Sequence, residues 1–355
     1  MKIICNTILL LLLIPAVCFS NNGKKKGKYQ KEKSYHQEFT VNPDALLEIN
    51  NHFGDISITT WNENKTVISA NISVSGNNEK KVIEKIKQIS IRFTNTKKLV
   101  QAITEIETKN WSTNNLTIDI TYVIKAPVGN KMLLENKYGN INLNHLNNKA
   151  TISCKYGSID IGKLNHSDNE INLKYSENSS IQYIKNGVIS SKYSTITIDK
   201  TDALVINADY TNTYIGSADI IEFEGKHGDL NINQIRNLVI DGNYLKIKLN
   251  ELLNTLNIDT SYSTINVNQI KKHFQKINIV SQYSTIALKY NPDTSFKFNI
   301  LTNYGNFKYN DNLIISSLRE SKKSKAYSGH TNNNTSLNHI GIESDYTNVI
   351  LNNID

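Results

Sequence analysis

The sequence predicts an all-β protein: a single-stranded, right-handed β-helix (a solenoid) with about 17–21 residues per coil, preceded by an N-terminal β-rich cap with one helix. Three observations predict it. A short phrase recurs, as KYGNINL at 137–143, KYGSIDI at 155–161, SKYSTITI at 191–198 and SQYSTIAL at 281–288. Apolar residues keep fixed offsets from the aromatic of that phrase. Asn, Ile and Tyr are abundant while Pro occurs only four times, a balance that suits strands joined by polar turns.

Residues 1–20, MKIICNTILLLLLIPAVCFS, read as a secretory signal peptide. Lys2 is the basic start, Ile8 to Ile14 the apolar stretch, and Cys18-Phe19-Ser20 a small-residue cleavage site. Lipid anchoring at Cys18 is the alternative, although Val17 fits poorly before an acylated cysteine. No later apolar run approaches the roughly 18 residues of a spanning helix. The expected location is therefore the periplasm or cell surface, peripheral to a membrane at most.

The formal charge is +8, and KKKGKYQKEK at 24–33 carries six Lys and one Glu. Residues 21–35 are thus expected to form a disordered basic tail. The body beyond it is nearly balanced, which argues against a nucleic-acid partner. Of three Cys, two fall in the signal peptide, leaving Cys154 with no internal disulfide partner.

Residues 36–126 are expected to form the cap. Ile68, Ala70, Ile72 and Val74 alternate, as do Leu116, Ile118, Ile120, Tyr122 and Ile124, the pattern of strands with one buried face. Between them Val82, Ile83, Ile86 and Ile89 follow helical spacing, predicting a helix near 79–89 that Asn77-Asn78 can cap. NHFGDISITTW at 51–61 already carries the repeat phrase, so this segment begins as a coil and then makes a long excursion over the solenoid's end.

Residues 127–355 hold the repeats. The aromatic anchors are Phe53, Tyr138, Tyr156, Tyr175, Tyr193, Tyr210, His227, Tyr244, Tyr262, Tyr283, Tyr304 and Tyr346. Four residues before each anchor the side chain is always apolar, as in Ile152, Ile171 and Ile189. Three and five after it the side chain is nearly always apolar, with exceptions at Asn178, Ser180 and Thr213. Offsets +3 and +5 share one parity and −4 has the other. All can point inward only if the chain turns at the anchor step, where Gly139, Gly157, Gly228 and Gly305 follow the aromatic. Each period is then strand, corner, strand and polar corner, stacked about 4.8 Å from the next. Cys154 has inward parity and reads as a small buried hydrophobe. Tyr327 reads as a degenerate anchor and 317–334 as a polar loop. The last coil, Thr347 to Leu351, shows no obvious cap.

In the order NHFGDISITTW, KYG repeats, KAYSGH and SDYTNVIL, the chain resembles the exported DUF4097-type putative adhesin family of Bacteroidota. That resemblance implies a β-helix exposed at the cell envelope and carries over no catalytic residues. Tyr175-Ser176-Glu177-Asn178 and His227 depart from the repeat phrase and mark coils where distortion is expected.

Chemistry is sparsely signalled. The eight His are scattered; His145 and His166 could approach each other on adjacent corners but read as solvated turns. Asp160, Asp199 and Asp259 sit at outward positions and read as surface charge, not as the paired carboxylates of a glycosidase. No nucleotide-binding or nucleophile-elbow motif occurs, and no six-residue subperiod points to a hexapeptide-repeat acyltransferase. No catalytic, metal or cofactor residue is assigned. The anchor column reads either as a packing ladder or as an exposed ridge that stacks on sugars. The expected function is a non-enzymatic, exported binding module of the cell envelope, adhesin-like, whose regular surface meets a glycan or protein partner. The alternatives are a scaffold assembling end to end and, further off, a polysaccharide-active enzyme.

Overall fold

Among the described residues the alternating apolar pattern becomes strand almost everywhere, and a single helix interrupts it. The computed structural model describes residues 27–107, 113 and 115–354, so the expected signal peptide and residues 21–26 of the tail lie outside the described residues. The N-terminal elements are β1 (Tyr29–Thr40), β2 (Leu46–His52), β3 (Ile56–Trp61), β4 (Lys65–Gly76), α1 (Glu79–Lys87), β5 (Ile89–Thr96), β6 (Leu99–Ile106) and β7 (Leu116–Pro127). The repeats follow as β8 (Lys131–Lys137), β9 (Ile141–Leu146), β10 (Ala150–Lys155), β11 (Ile159–Leu164), β12 (Asn169–Lys174), β13 (Ser179–Lys192), β14 (Thr195–Asp209) and β15 (Asn212–Ser261). Then come β16 (Thr264–Ile270), β17 (Lys276–Gln282), β18 (Thr285–Tyr290), β19 (Lys297–Asn303), β20 (Phe307–Tyr309), β21 (Ile314–Glu320), β22 (Ser324–His330), β23 (His339–Asp345) and β24 (Asn348–Asn353).

Strands one period apart pair in parallel at equal offsets. β10 lies between β8 and β12, with Ile152 opposite both Leu134 and Ile171. The strands after the anchors do the same: Ile161 of β11 is opposite Leu143 of β9. Side chains of one offset therefore form a column, and the inward columns make one continuous core. Two core columns were not read from the sequence, at offsets −6 (Met132, Leu204, Ile221) and +8 (Leu146, Leu164, Ile235).

Two apparent breaks in the pattern have a single cause. One extra residue enters after Tyr175, and Asn178 absorbs it at φ 56°. The inward places are then taken by Ser179 and Ile181, opposite Ile196 and Ile198. Thr213, the third exception, does point inward, and its buried hydroxyl has no hydrogen-bond partner.

The N-terminal end corrects the boundary of the tail. Residues 29–35 are not a solvated tail: they belong to β1, which pairs antiparallel with β4. Alternation explains this, because Tyr35 packs on Phe93 at 5.9 Å. The lysines find partners as well. Lys33 Nζ donates to the Ile89 carbonyl at 3.0 Å, and Lys31 lies 3.5 Å from Glu79. α1 starts at Asn78, whose side chain accepts from the Lys81 N–H, and buries Val82 and Ile86 against the neighbouring strands. The first coil is interior: β2 pairs in parallel with β8 and β6, and β3 with β9 and β7. The excursion thus returns as an outer layer, closed by β4 on β7 and β5 on β6.

The C-terminal end also departs from expectation. β23 lies between β17 and β19, and β24 between β18 and β20. The last coil in sequence is therefore not the last in space. The outer coil, β19 and β20, is covered along β19 by the antiparallel hairpin β21–β22. Most of the expected polar loop 317–334 forms that hairpin. Tyr327 is not an anchor: it sits on β22 and meets Phe307 edge-on at 5.1 Å. An uncovered sheet edge invites pairing with other chains, and the hairpin occupies it.

Candidate functional site

The corner is made by the aromatic residue, not by the glycine after it. All twelve anchors have φ between 50° and 66°, and among the described residues no glycine has positive φ. A non-glycine residue in this left-handed region costs about 1–2 kcal/mol. Hydrogen bonding and stacking offset that cost. Corner N–H groups continue the ladder into the next coil, as from Tyr138 to the Lys155 carbonyl at 2.9 Å and from Tyr175 to the Lys192 carbonyl at 3.0 Å, and that of Tyr304 donates to the Lys323 carbonyl of the hairpin at 2.8 Å. The glycines serve close approach instead: a Cβ on Gly157 would lie 2.0 Å from the Gly139 oxygen. Most other corners place Ser or Thr there, with the hydroxyl turned to the backbone, and the corner of Tyr244 places buried Leu245. Ser194 Oγ donates to the Lys192 carbonyl at 2.8 Å and accepts from the Ser176 N–H at 3.1 Å.

The structure brings all twelve anchors into one column of eleven stacked contacts. Ring centroids are 4.6–5.3 Å apart and planes are inclined by 2–13°. The spatial order ends Tyr283, Tyr346, Tyr304. His227 continues the stack between Tyr210 and Tyr244, so its departure from the phrase causes no break. The ten tyrosines are 42–51 % exposed. That exposure belongs to ring edges, because neighbouring rings cover the faces. Over the outer ring, Tyr304, stands Lys323 Nζ at 5.6 Å. Stacking on a sugar needs a free ring face, which this column does not offer along its length.

Two outward faces flank the column. The strands after the corner carry amides and hydroxyls that bond from coil to coil. Asn250 Nδ2 donates to Asn233 Oδ1 at 3.1 Å, Asn268 Nδ2 to Asn250 Oδ1 at 3.4 Å, and Ser180 Oγ to Asp160 Oδ1 at 2.8 Å. The strands before the corner carry charge. Lys137, Lys155, Lys174 and Lys192 stand in register at offset −1. Lys137 and Lys155 lean over Tyr138 and Tyr156, with Nζ 4.9 and 5.0 Å from the ring centres. A groove of about 510 Å³ follows this face past Lys174, Lys192, Asp209, Glu224, Lys226 and Asp241.

The remaining candidates are structural. His145 Nε2 lies 2.9 Å from Asn147 Oδ1 and 2.9 Å from Asn165 Nδ2, and His166 Nδ1 accepts from the Asp168 N–H at 3.1 Å. Both serve polar corners. Among the described residues no group of three or more His, Cys, Asp or Glu is placed to hold a metal ion. Asp160, Asp199 and Asp259 are exposed on separate coils. Cys154 is 1 % exposed and points its thiol at the Gly139 carbonyl, 3.5 Å away. Burial pushes that thiol up to about 11. Among the described residues no helix is long and apolar enough to cross a membrane.

No protein-family model and no curated protein matches the chain. Three solved structures are similar at low level. One is titled a putative cell adhesion protein, from Clostridium sporogenes: 12% identical, covering 91% of this chain and 99% of its own, TM-score 0.19. Another is titled a putative adhesin, from Bacteroides fragilis: 10% identical, covering 91% and 97%, TM-score 0.28. A third, also titled a putative adhesin, is from Parabacteroides merdae: 12% identical, covering 75% and 94%, TM-score 0.31. Likeness at this level carries no functional argument, so the functional reading rests on the residues above.

Proposed function

We propose that this chain is an exported, non-enzymatic β-helix of the cell envelope whose amide-rich face engages a glycan or protein partner. The observation that carries this reading is the repetition itself. Side chains of one chemistry recur at one strand spacing along many coils, as in the Asn233–Asn250–Asn268 ladder. Recurrent donors and acceptors suit an extended polymer or a long protein edge. An enzyme instead concentrates perturbed groups in one cleft. Equal-offset parallel pairing supports a single-stranded β-helix, right-handed by the chirality of parallel connections. Residues 1–20 support export, and the ordered motifs from NHFGDISITTW to SDYTNVIL support membership of the DUF4097-type family.

The test replaces Asn233, Asn250 and Asn268 together by Ala and measures binding to isolated envelope polysaccharide and envelope protein fractions alongside the melting temperature. The proposal expects the parent chain to bind and the variant to bind at least several-fold more weakly with melting unchanged. Undiminished binding, or loss of binding only in step with loss of stability, overturns it.

A further inference from the structure

The charged face before the corner changes sign at the middle of the rod. In spatial order the twelve anchors divide into six from Phe53 to Tyr210 and six from His227 to Tyr304. The first half carries the lysine column of 137, 155, 174 and 192. The second half carries Glu224, Asp241 and Asp259, each three residues before its anchor and each exposed. Near the middle, Asp209 faces back toward Lys192 at 3.1 Å, and Lys226 is the neighbour of Asp209 in register. Exposed Val188, Val205 and Val239 lie on the same face, 38–45 % accessible.

Like charges directly opposite one another destabilise a sheet. This face stacks four lysines at one strand spacing, with Glu135 and Glu170 beside them, and four carboxylates, Glu222, Glu224, Asp241 and Asp259, farther along. Lys174, Lys226, Glu224, Asp241 and Asp259 make no ion pair among the described residues. A sequence that breaks a local rule this systematically points to a partner that relieves it. The partner must be acidic against the first half and basic against the second, which a polyanion is not.

We infer that this face binds a second copy of the chain, antiparallel and face to face, about a two-fold axis running along the strands midway between the coils of Tyr210 and His227. Each coil then meets the one equally distant from the centre. Asp209 meets Lys226 of the second copy and Val188 meets Val239 at equal offsets, while Lys192 and Lys174, at offset −1, reach two residues along the facing strand to Asp241 and Asp259. A two-fold interface must be self-complementary in this way. At the ends Glu135 would meet Glu343, so the central eight coils carry the contact. They offer about 40 Å of rod by about 20 Å of strand. That is roughly 800 Å² on each copy, the size of a standard stable interface. The amide face stays outward and free, so this pairing does not depend on the glycan or protein reading above.

The test uses two variants of the mature chain, Lys174→Glu/Lys192→Glu and Asp241→Lys/Asp259→Lys, with mass followed by sedimentation equilibrium and folding by circular dichroism. The parent chain is expected to be a dimer that weakens with added salt. Each variant alone apposes like charges and is expected to dimerise at least about tenfold more weakly. Mixed, the two variants appose opposite charges and are expected to form a heterodimer. A zero-length carbodiimide should also join Lys174 of one parent copy to Asp259 of the other. A monomeric parent at high concentration overturns the inference. So do two folded variants that fail to associate on mixing, or a dominant Lys174-to-Lys174 link between copies when a bifunctional amine-reactive ester replaces the carbodiimide, which would mark parallel rods.

Discussion

Tyr346 stacks on Tyr283 at 4.9 Å and 5°, although a complete coil and a hairpin lie between them in sequence. The chain builds the coil of Tyr304 first, turns back through β21 and β22, and lays its last coil into the gap. Strands paired on both sides exchange their amide hydrogens late. Here β23 and β24 are expected to be among the slowest-exchanging strands, while β21 and β22 exchange faster. Deleting residues 339–355 is expected to unfold the strands flanking Tyr304 as well, leaving a sheet of fewer strands. Amide hydrogen exchange read by mass spectrometry on both chains checks this; fast exchange at β23 would contradict the order of coils.

The corner conformation predicts an unusual ranking of substitutions. Tyr193 has φ 52° and stacks between Tyr175 and Tyr210 at 5.1 and 4.9 Å. Tyr193→Asn loses the stack but tolerates the left-handed backbone, for a loss of about 1 kcal/mol. Tyr193→Val loses both, for about 2–3 kcal/mol, despite being the better strand former. Denaturant melts of the two variants decide, and equal losses would remove the corner argument.

The buried hydroxyl of Thr213 has no partner. Thr213→Val keeps the shape and removes the desolvated group, and is expected to stabilise by about 1 kcal/mol. A loss on denaturant titration would show that the hydroxyl is satisfied.

Cys154 gives stability a pH dependence with a definite sign. Burial, opposed by a weaker hydrogen bond with Ser176, raises its thiol from 9.0 to about 11. Between those values the unfolded chain has released its proton and the folded chain has not. The contribution is complete below pH 9 and is lost as pH rises toward 11, by at most about 1.4 kcal/mol per pH unit. Tyr290, raised by burial to about 12, continues the loss above pH 10. Cys154→Ala is expected to flatten the decline between pH 9 and 11 while leaving the tyrosine part. Denaturant melts of both chains across that range check it, and parallel pH curves would contradict it.

Much of this architecture could be read from Ile152, Ile171 and Ile189, because a side chain that must point inward in every coil fixes both period and parity. The exceptions Asn178 and Ser180 were legible only in part: a one-residue insertion shifts the inward places to Ser179 and Ile181, and counting from a rigid offset hides it. The exchange of Tyr346 and Tyr304 left no signal, since coils of equal pattern pair equally well with any neighbour. Residues 29–35 read as a solvated tail because the six lysines of 24–33 outweigh the spacing of Tyr29, Tyr35 and Phe39. The signed face was present in the sequence as Lys137 through Lys192 followed by Glu224, Asp241 and Asp259. Its residues occupy outward positions, where any solvated strand carries charge, so residue type alone does not single it out.

The binding role is tested most directly by a photo-crosslinking residue placed at Asn250 on the amide face, in the living cell, with Val205 on the signed face as its companion. The account predicts recurrent capture of one envelope protein or glycan from Asn250 and capture of a second copy from Val205. If Asn250 captures nothing in a folded, exported chain, the binding module is contradicted.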